Sequence, residues 1–365
     1  MSTRFACPRP SVPQSGRPAL RGDLLSCYTA SIGCYLERCG ADPEWALGLQ
    51  LFTAIRFISE NPPICAFLHY HTPLLGCAPT HSLLLRRRWT MSVDEARAAI
   101  VAECRRSGLV IVSGDTYRLP WSVAHGRRHA PHWFVVDSAE ATGRSLHVVD
   151  PFAYIDDLGT QEPHHGWINM EVLGTPPPLC PAISYRGLWA FGLEDPLPPA
   201  PPCVIEWFEA AEPAQGTSCE PHTLLDLLAS GCAYYCGSSV RPDLTEWTVG
   251  AQALSALADW ARDRLDDARL YVVSDDLWVS HRNRLLFANA LGRVAALVRR
   301  PDLRRLADDI RDVLAPEWSA IPRVMRYNAA CLERGRPPRR IVIDLLQQVA
   351  EREAELVGRL KRGLA

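Results

Sequence analysis

The order in which apolar patterns follow one another constrains this fold more than any single residue does. Residues 27–39 read as a helix closed by Gly40, and residues 45–58 as a second helix. Ser92-Val-Asp-Glu-Ala-Arg opens a third, with a serine able to cap the first N–H groups and acids in the first turn; it ends near Gly108. Strand patterns come next at Leu109-Val-Ile-Val, at His132 to Val136 and at Leu146 to Val149. Ala139-Glu-Ala-Thr-Gly-Arg suits a hairpin turn between the last two. Helices first and strands afterwards make an α+β domain, since an alternating parallel sheet needs a different order. Beyond residue 245 the period is helical. Val249, Leu254, Leu257 and Trp260 share one face, as do Leu285, Ala288, Leu291 and Val294, and Arg340 to Leu360 is a charged amphipathic helix.

Proline marks the joints. Residues 1–20 are rich in proline and polar residues and read as a flexible arm, and prolines gather again at 176–181 and 196–202. The expected division is an α+β domain over 21–200, a connecting segment over 201–245 and a helical domain over 246–365 that covers the substrate. With 365 residues, 47% hydrophobic and 22% charged, the chain can bury a large core. A formal net charge of -2 gives no general attraction to nucleic acid or to an anionic membrane. No apolar run is long enough to span a bilayer, and the first ten residues lack the apolar core of a secretion signal, so the cytoplasm is the expected compartment. Thirteen cysteines without a Cys-x-x-Cys pair suggest neither a disulfide framework nor a structural zinc site.

Three residues could act together. Cys27 stands where the first helix begins, and a helix N-terminus and a nearby imidazolium both favour a thiolate. Taken alone, Cys27 reads first as a buried helix cysteine, since most cysteines are inert. His132 heads a strand and Asp150 ends the next, fixed by Pro151. Antiparallel pairing brings the end of one beside the start of the other, giving a thiol nucleophile, a base and an orienting carboxylate. A competing reading takes His125, His129 and His132 as zinc ligands; the loop from Pro120 to Pro131 is a poor platform for it, and no metal is expected. Asp115, Tyr117 and Trp121 beside Pro120, with Trp133 next to His132, either wall a substrate pocket or pack a turn. The arginine clusters at 86–88, 105–106, 127–128 and 338–340 read as solvated faces, one of which could dock an acidic carrier protein.

At these residues the chain resembles two related groups. Cys27-x2-Ala30, with Leu36 and Gly40, is similar to the opening helix of the papain-like C39 peptidases that trim bacteriocin leaders. Gly114-Asp115-x-Tyr117-x-Leu119-Pro120-Trp121, with His132 and Asp150-Pro151, resembles the butirosin biosynthesis protein H family over about residues 21–160. The resemblance implies a papain-like domain, a helix packed on an antiparallel sheet, followed by a helical one. It implies an acyltransferase of specialised metabolism that takes an acyl or peptidyl group from the phosphopantetheine thioester of a carrier protein and passes it to a small-molecule amine, with no cofactor of its own. Cys27 would be the nucleophile, His132 the general base and acid, and Asp150 the orienting carboxylate. The glutamine that papain-type enzymes often place before the cysteine is missing from Arg21-Gly-Asp-Leu-Leu-Ser. The Cys27 N–H would then need a second oxyanion donor, Arg21 or Ser26. A thioesterase, a peptidase and a non-catalytic binding protein are the alternatives, and oligomeric state is left open.

Overall fold

Ser145–Asp150 alternates half-exposed and buried residues along its length, as a strand with one face on a core must. It belongs to a computed structural model that describes residues 25–39, 42–49, 51, 53–58, 64–68, 83–90, 92–127, 131–156, 158–173, 203–210, 221–236 and 247–364. In chain order its helices are α1 (Cys27–Arg38), α2 (Pro43–Gly48), α3 (Val93–Ser107), α4 (Pro221–Tyr235), α5 (Gly250–Arg262), α6 (Ser274–Leu297), α7 (Pro301–Asp309), α8 (Ala315–Glu333) and α9 (Ile341–Leu364). The strands are β1 (Ala54–Ile58), β2 (Ile64–Leu68), β3 (Leu83–Thr90), β4 (Val110–Asp115), β5 (Pro131–Ala139), β6 (Ser145–Asp150), β7 (Tyr154–Asp156), β8 (Gly159–Gln161), β9 (His164–Asn169), β10 (Cys203–Ala210) and β11 (Thr248–Val249).

The chain divides into two units. The first holds a six-stranded antiparallel sheet in the order β3-β10-β4-β5-β6-β9, with β7 and β8 paired beside it in sequence. Its core joins Ala96, Ala99 and Ile100 of α3 to Val112, Phe134, Val136 and Val148 of the sheet. α3 is bounded as its sequence dictates. Ser92 caps it by accepting the Glu95 N–H, and Gly108 ends it at φ 80, a left-handed conformation that glycine adopts without a Cβ penalty. The β5–β6 hairpin turns through residues 140–144, with Gly143 at φ 67 and Glu140 N–H bonded to the Ser145 carbonyl. β5 carries a bulge between Val136 and Ser138.

The second unit packs α4 to α9 and the sheet β11-β1-β2 around one apolar core that includes Leu254, Leu291, Trp318, Leu346 and Phe67. Among the described residues no helix is long and apolar enough to cross a membrane.

Four expectations are corrected. Residues 45–58 are not one helix: α2 ends at Gly48 and Ala54–Ile58 is a strand paired with β2. Apolar runs of this length fit both periods, and only the partner strand decides between them. Val249, read as part of a helical face, instead ends β11, where it pairs with Ala54 just before α5 begins. The segment 201–245 is not a connection. Its Cys203–Ala210 lies between β3 and β4 in the first unit's sheet, while Pro221–Tyr235 belongs to the second unit. The division is also discontinuous, with Trp45–Ala78 grouped with the helices, where one boundary near residue 200 was expected. The N-terminal arm, Gly40 and both proline clusters lie outside the described residues.

Candidate active site

α1 begins at Cys27 because Ser26 caps it. Ser26 Oγ accepts the Thr29 N–H at 3.2 Å, and Thr29 Oγ1 accepts the Ser26 N–H at 2.9 Å. That reciprocal pair is a capping box with threonine in the third position. Cys27 is therefore the first residue of the helix. Its N–H has no carbonyl within the helix to reach, and its half-buried thiol stands at the positive end of the helix dipole.

His132 lies near the start of β5, opposite Gly114 of β4. A Cβ at Gly114 would sit 3.1 Å from Phe134 and 3.3 Å from Leu119, so glycine gives the loop after β4 room to fold back onto the sheet. Asp150 closes β6 and is fully buried. Its Oδ2 lies 2.7 Å from His132 Nε2 and accepts the Trp121 indole N–H at 2.8 Å. Its Oδ1 accepts the Phe152 N–H at 3.0 Å. An anionic carboxylate places the ring proton on Nε2, which leaves Nδ1 for the side-chain hydrogen bond with Cys27. Burial opposes the imidazolium, but the Asp150 charge and the Cys27 sulfur outweigh it and push His132 up to about 10.

The loop between β4 and β5 carries Trp121 to this carboxylate. Asp115 Oδ1 accepts the Tyr117 N–H at 3.1 Å and turns the chain, and Leu119 is fully buried. The Trp121 ring stacks on His164 at 4.7 Å and meets Phe134 edge-on at 5.5 Å. Burial holds the His164 imidazole below its ordinary value, so it stacks as a neutral ring. Gln161, buried in β8, accepts the Val123 N–H at 2.9 Å and donates to the Trp121 carbonyl at 3.4 Å.

Cys27, His132 and Asp150 thus come together, and the other expected residues divide. Asp115 is buried in its own turn, Tyr117 is exposed, and Trp121 contacts the carboxylate. Trp133 is 1% exposed and packs edge-on against Tyr28 of α1, because strand alternation turns it away from the side of His132. Its ring fastens the helix to the sheet, a correction to the pocket expectation. Ser26 is corrected as well: its hydroxyl is occupied by Thr29 in the capping box. Arg21 and His129 lie outside the described residues. Gln161 and Phe152 were not foreseen. Phe152 had a signal, since Asp150-Pro151 is turn chemistry in which an aspartate accepts the N–H two residues on. Gln161 had none.

Other thiols have different surroundings. Burial pushes Cys34 up to about 11 and Cys104 and Cys232 up to about 12, which keeps them protonated. A second histidine–aspartate contact, His147 Nδ1 to Asp137 Oδ1 at 2.6 Å, is shared with Arg38. Among the described residues no group of three His, Cys, Asp or Glu is placed to hold a metal ion. No protein-family model matches the chain, and no curated protein matches it.

Proposed function

We propose that the chain is a cysteine-dependent acyltransferase of papain-like design, acting through a Cys27 acyl-enzyme. The observation that carries this reading is the 2.7 Å contact of His132 Nε2 with a fully buried Asp150, with the same ring hydrogen-bonded to a cysteine that opens a helix. Such a line orients the imidazole and favours the thiolate–imidazolium pair. The Cys27 sulfur attacks the carbonyl of a carrier-bound thioester. The oxyanion is met by the Cys27 N–H. As the tetrahedral adduct collapses, the pantetheine sulfur leaves with the proton held by His132, and the acyl group remains on Cys27. An amine then attacks, His132 takes its proton, and the Cys27–acyl bond breaks to give an amide and the free enzyme. Water in place of the amine would make the same site a thioesterase. This chemistry requires a compartment that keeps thiols reduced, and the cytoplasm is our proposed location.

The test is intact mass of the parent and of Cys27→Ala after exposure to acyl-thioesters. An adduct of one acyl group on the Cys27 peptide, absent from the variant and discharged by amines, is expected. Turnover undiminished in Cys27→Ala, with no adduct on the parent, ends the proposal. Cleavage of peptides without reaction with thioesters would make it a peptidase instead, and an unreactive Cys27 a binding protein.

A further inference from the structure

The second unit carries a cationic surface whose arginines differ from those around it. Several other arginines of that unit pair with nearby carboxylates: Arg262 with Asp259, Arg269 with Asp267, Arg300 with Asp302, Arg311 with Asp308 and Arg359 with Asp309. Residues 323–340 break the pattern, with six arginines against a single acid, Glu333. Arg326 reaches out of the segment to Asp275, while Arg334, Arg336 and Arg340 are exposed.

This segment is built, not loose. Gly335 at φ 64 ends α8, and the Arg336 N–H returns to the Cys331 carbonyl, the six-residue closure of a Schellman turn. Pro337 and Pro338 stiffen the chain beyond it. Asn328, fully buried, then holds residue 339 from both sides: its amide donates to the Arg339 carbonyl at 2.9 Å and its oxygen accepts the Arg339 N–H at 2.8 Å. The Arg339 guanidinium lies 4.4 Å above the Tyr327 ring.

Along α8, Arg323, Tyr327, Ala330 and Arg334 fall at helical spacing on one face. The stripe is about 16 Å long, or about three turns. Two apolar side chains are exposed with the arginines, Tyr327 at 46% and Ile341 at 50%. A partner must therefore supply negative charge over about three turns together with apolar contact. A phosphate backbone satisfies only the first, while an acidic amphipathic helix satisfies both. A chain of net charge -2 also has no wider field to hold a polyanion.

We infer that the arginine-rich face of α8 and the α8–α9 turn is the docking surface for an acidic amphipathic helix of a partner protein. Under the acyltransferase reading, on which this identification rests, the partner is the carrier protein. Electrostatic steering across such a face speeds encounter and selects the partner, while Tyr327 and Ile341 supply contact that excludes water.

The test titrates the full chain with an acidic holo-carrier protein and, separately, with a short DNA duplex. Arg334→Glu/Arg336→Glu/Arg340→Glu should weaken carrier binding about tenfold or more, whereas Arg305→Glu, an exposed charge outside the face, should leave it as in the parent. Raising salt from about 0.1 M to about 1 M, which shortens the screening length from ~10 Å to ~3 Å, should weaken the parent and barely affect the triple variant. Carrier binding that is absent, or equal in parent and triple variant, overturns the inference. So does reversal-sensitive binding of the duplex with none of the carrier. Reaction of Cys27 with an N-acetylcysteamine thioester is scored apart. A chain that docks the carrier through this face yet is never acylated ends the acyltransferase reading and leaves the surface standing; a chain that is acylated yet indifferent to the reversal ends the surface alone.

Discussion

Asp150 uses both carboxylate oxygens, one for Phe152 N–H and one shared by His132 and Trp121. Fully buried, it is the charge that holds the proton on His132 against the effect of burial. Relative to an unfolded histidine at about 6.5, a value raised to about 10 contributes stability that is complete below that lower pH and is lost as pH rises toward the upper one. Asp150→Asn removes the charge and leaves the burial, so the His132 imidazole, followed by NMR, should titrate well below about 10. An imidazole titration that does not move would show that the carboxylate plays no part. At this scale the sequence was legible for Cys27, His132 and Asp150, each marked by its place at the end of an element. The Gly114-to-Trp121 motif was legible as a motif only. Its work, a turn that delivers an indole N–H to Asp150, depends on a contact 29 residues away.

Elements were most legible where their ends are made by neighbours in sequence. Ser92 and Gly108 bound α3 as read, and the β5–β6 hairpin turns where its glycine stands. α1 shows the same local logic in a residue expected to serve chemistry, since Ser26 is the cap that sets Cys27 at the start of the helix. Ser26→Ala should lower stability by about 1 kcal/mol and Ser26→Gly by only a few tenths, measured as shifts in urea midpoint. Equal losses from the two would argue against a capping role. The segment 45–58 failed for the opposite reason. Leu51, Ile55 and their neighbours are apolar enough for either a helix or a strand, and pairing with β2 made the choice.

In the whole molecule, the described helices of the second unit share a buried ion pair. Arg284 of α6 and Glu353 of α9 are both 0% exposed, joined at 2.6 Å and 2.9 Å, with the Trp318 N–H on the same carboxylate at 2.7 Å. Arg284 also lies 4.5 Å above the Trp318 ring, so α6, α8 and α9 meet at one polar point in an apolar core. Glu353→Gln leaves a buried guanidinium without its countercharge and should cost about 3–5 kcal/mol in chemical denaturation. Arg284→Met/Glu353→Leu together should cost less, because neither charge is then stranded. A double variant no more stable than the single one would refute the pairing as the cause.

Near neighbours in the chain settled the helix caps, the hairpin, the helical period of the C-terminal half and the chain order of sulfur, imidazole and carboxylate. Those depend on contacts three or four residues apart or on one strand's alternation, and such patterns are written locally. Packing between distant segments settled that Cys203–Ala210 enters the middle of a sheet begun more than a hundred residues earlier, and that Glu353, one charge among several on an amphipathic helix, is the one turned inward. Many registers and many buried faces satisfy the same local pattern, and only the packed whole selects one of them.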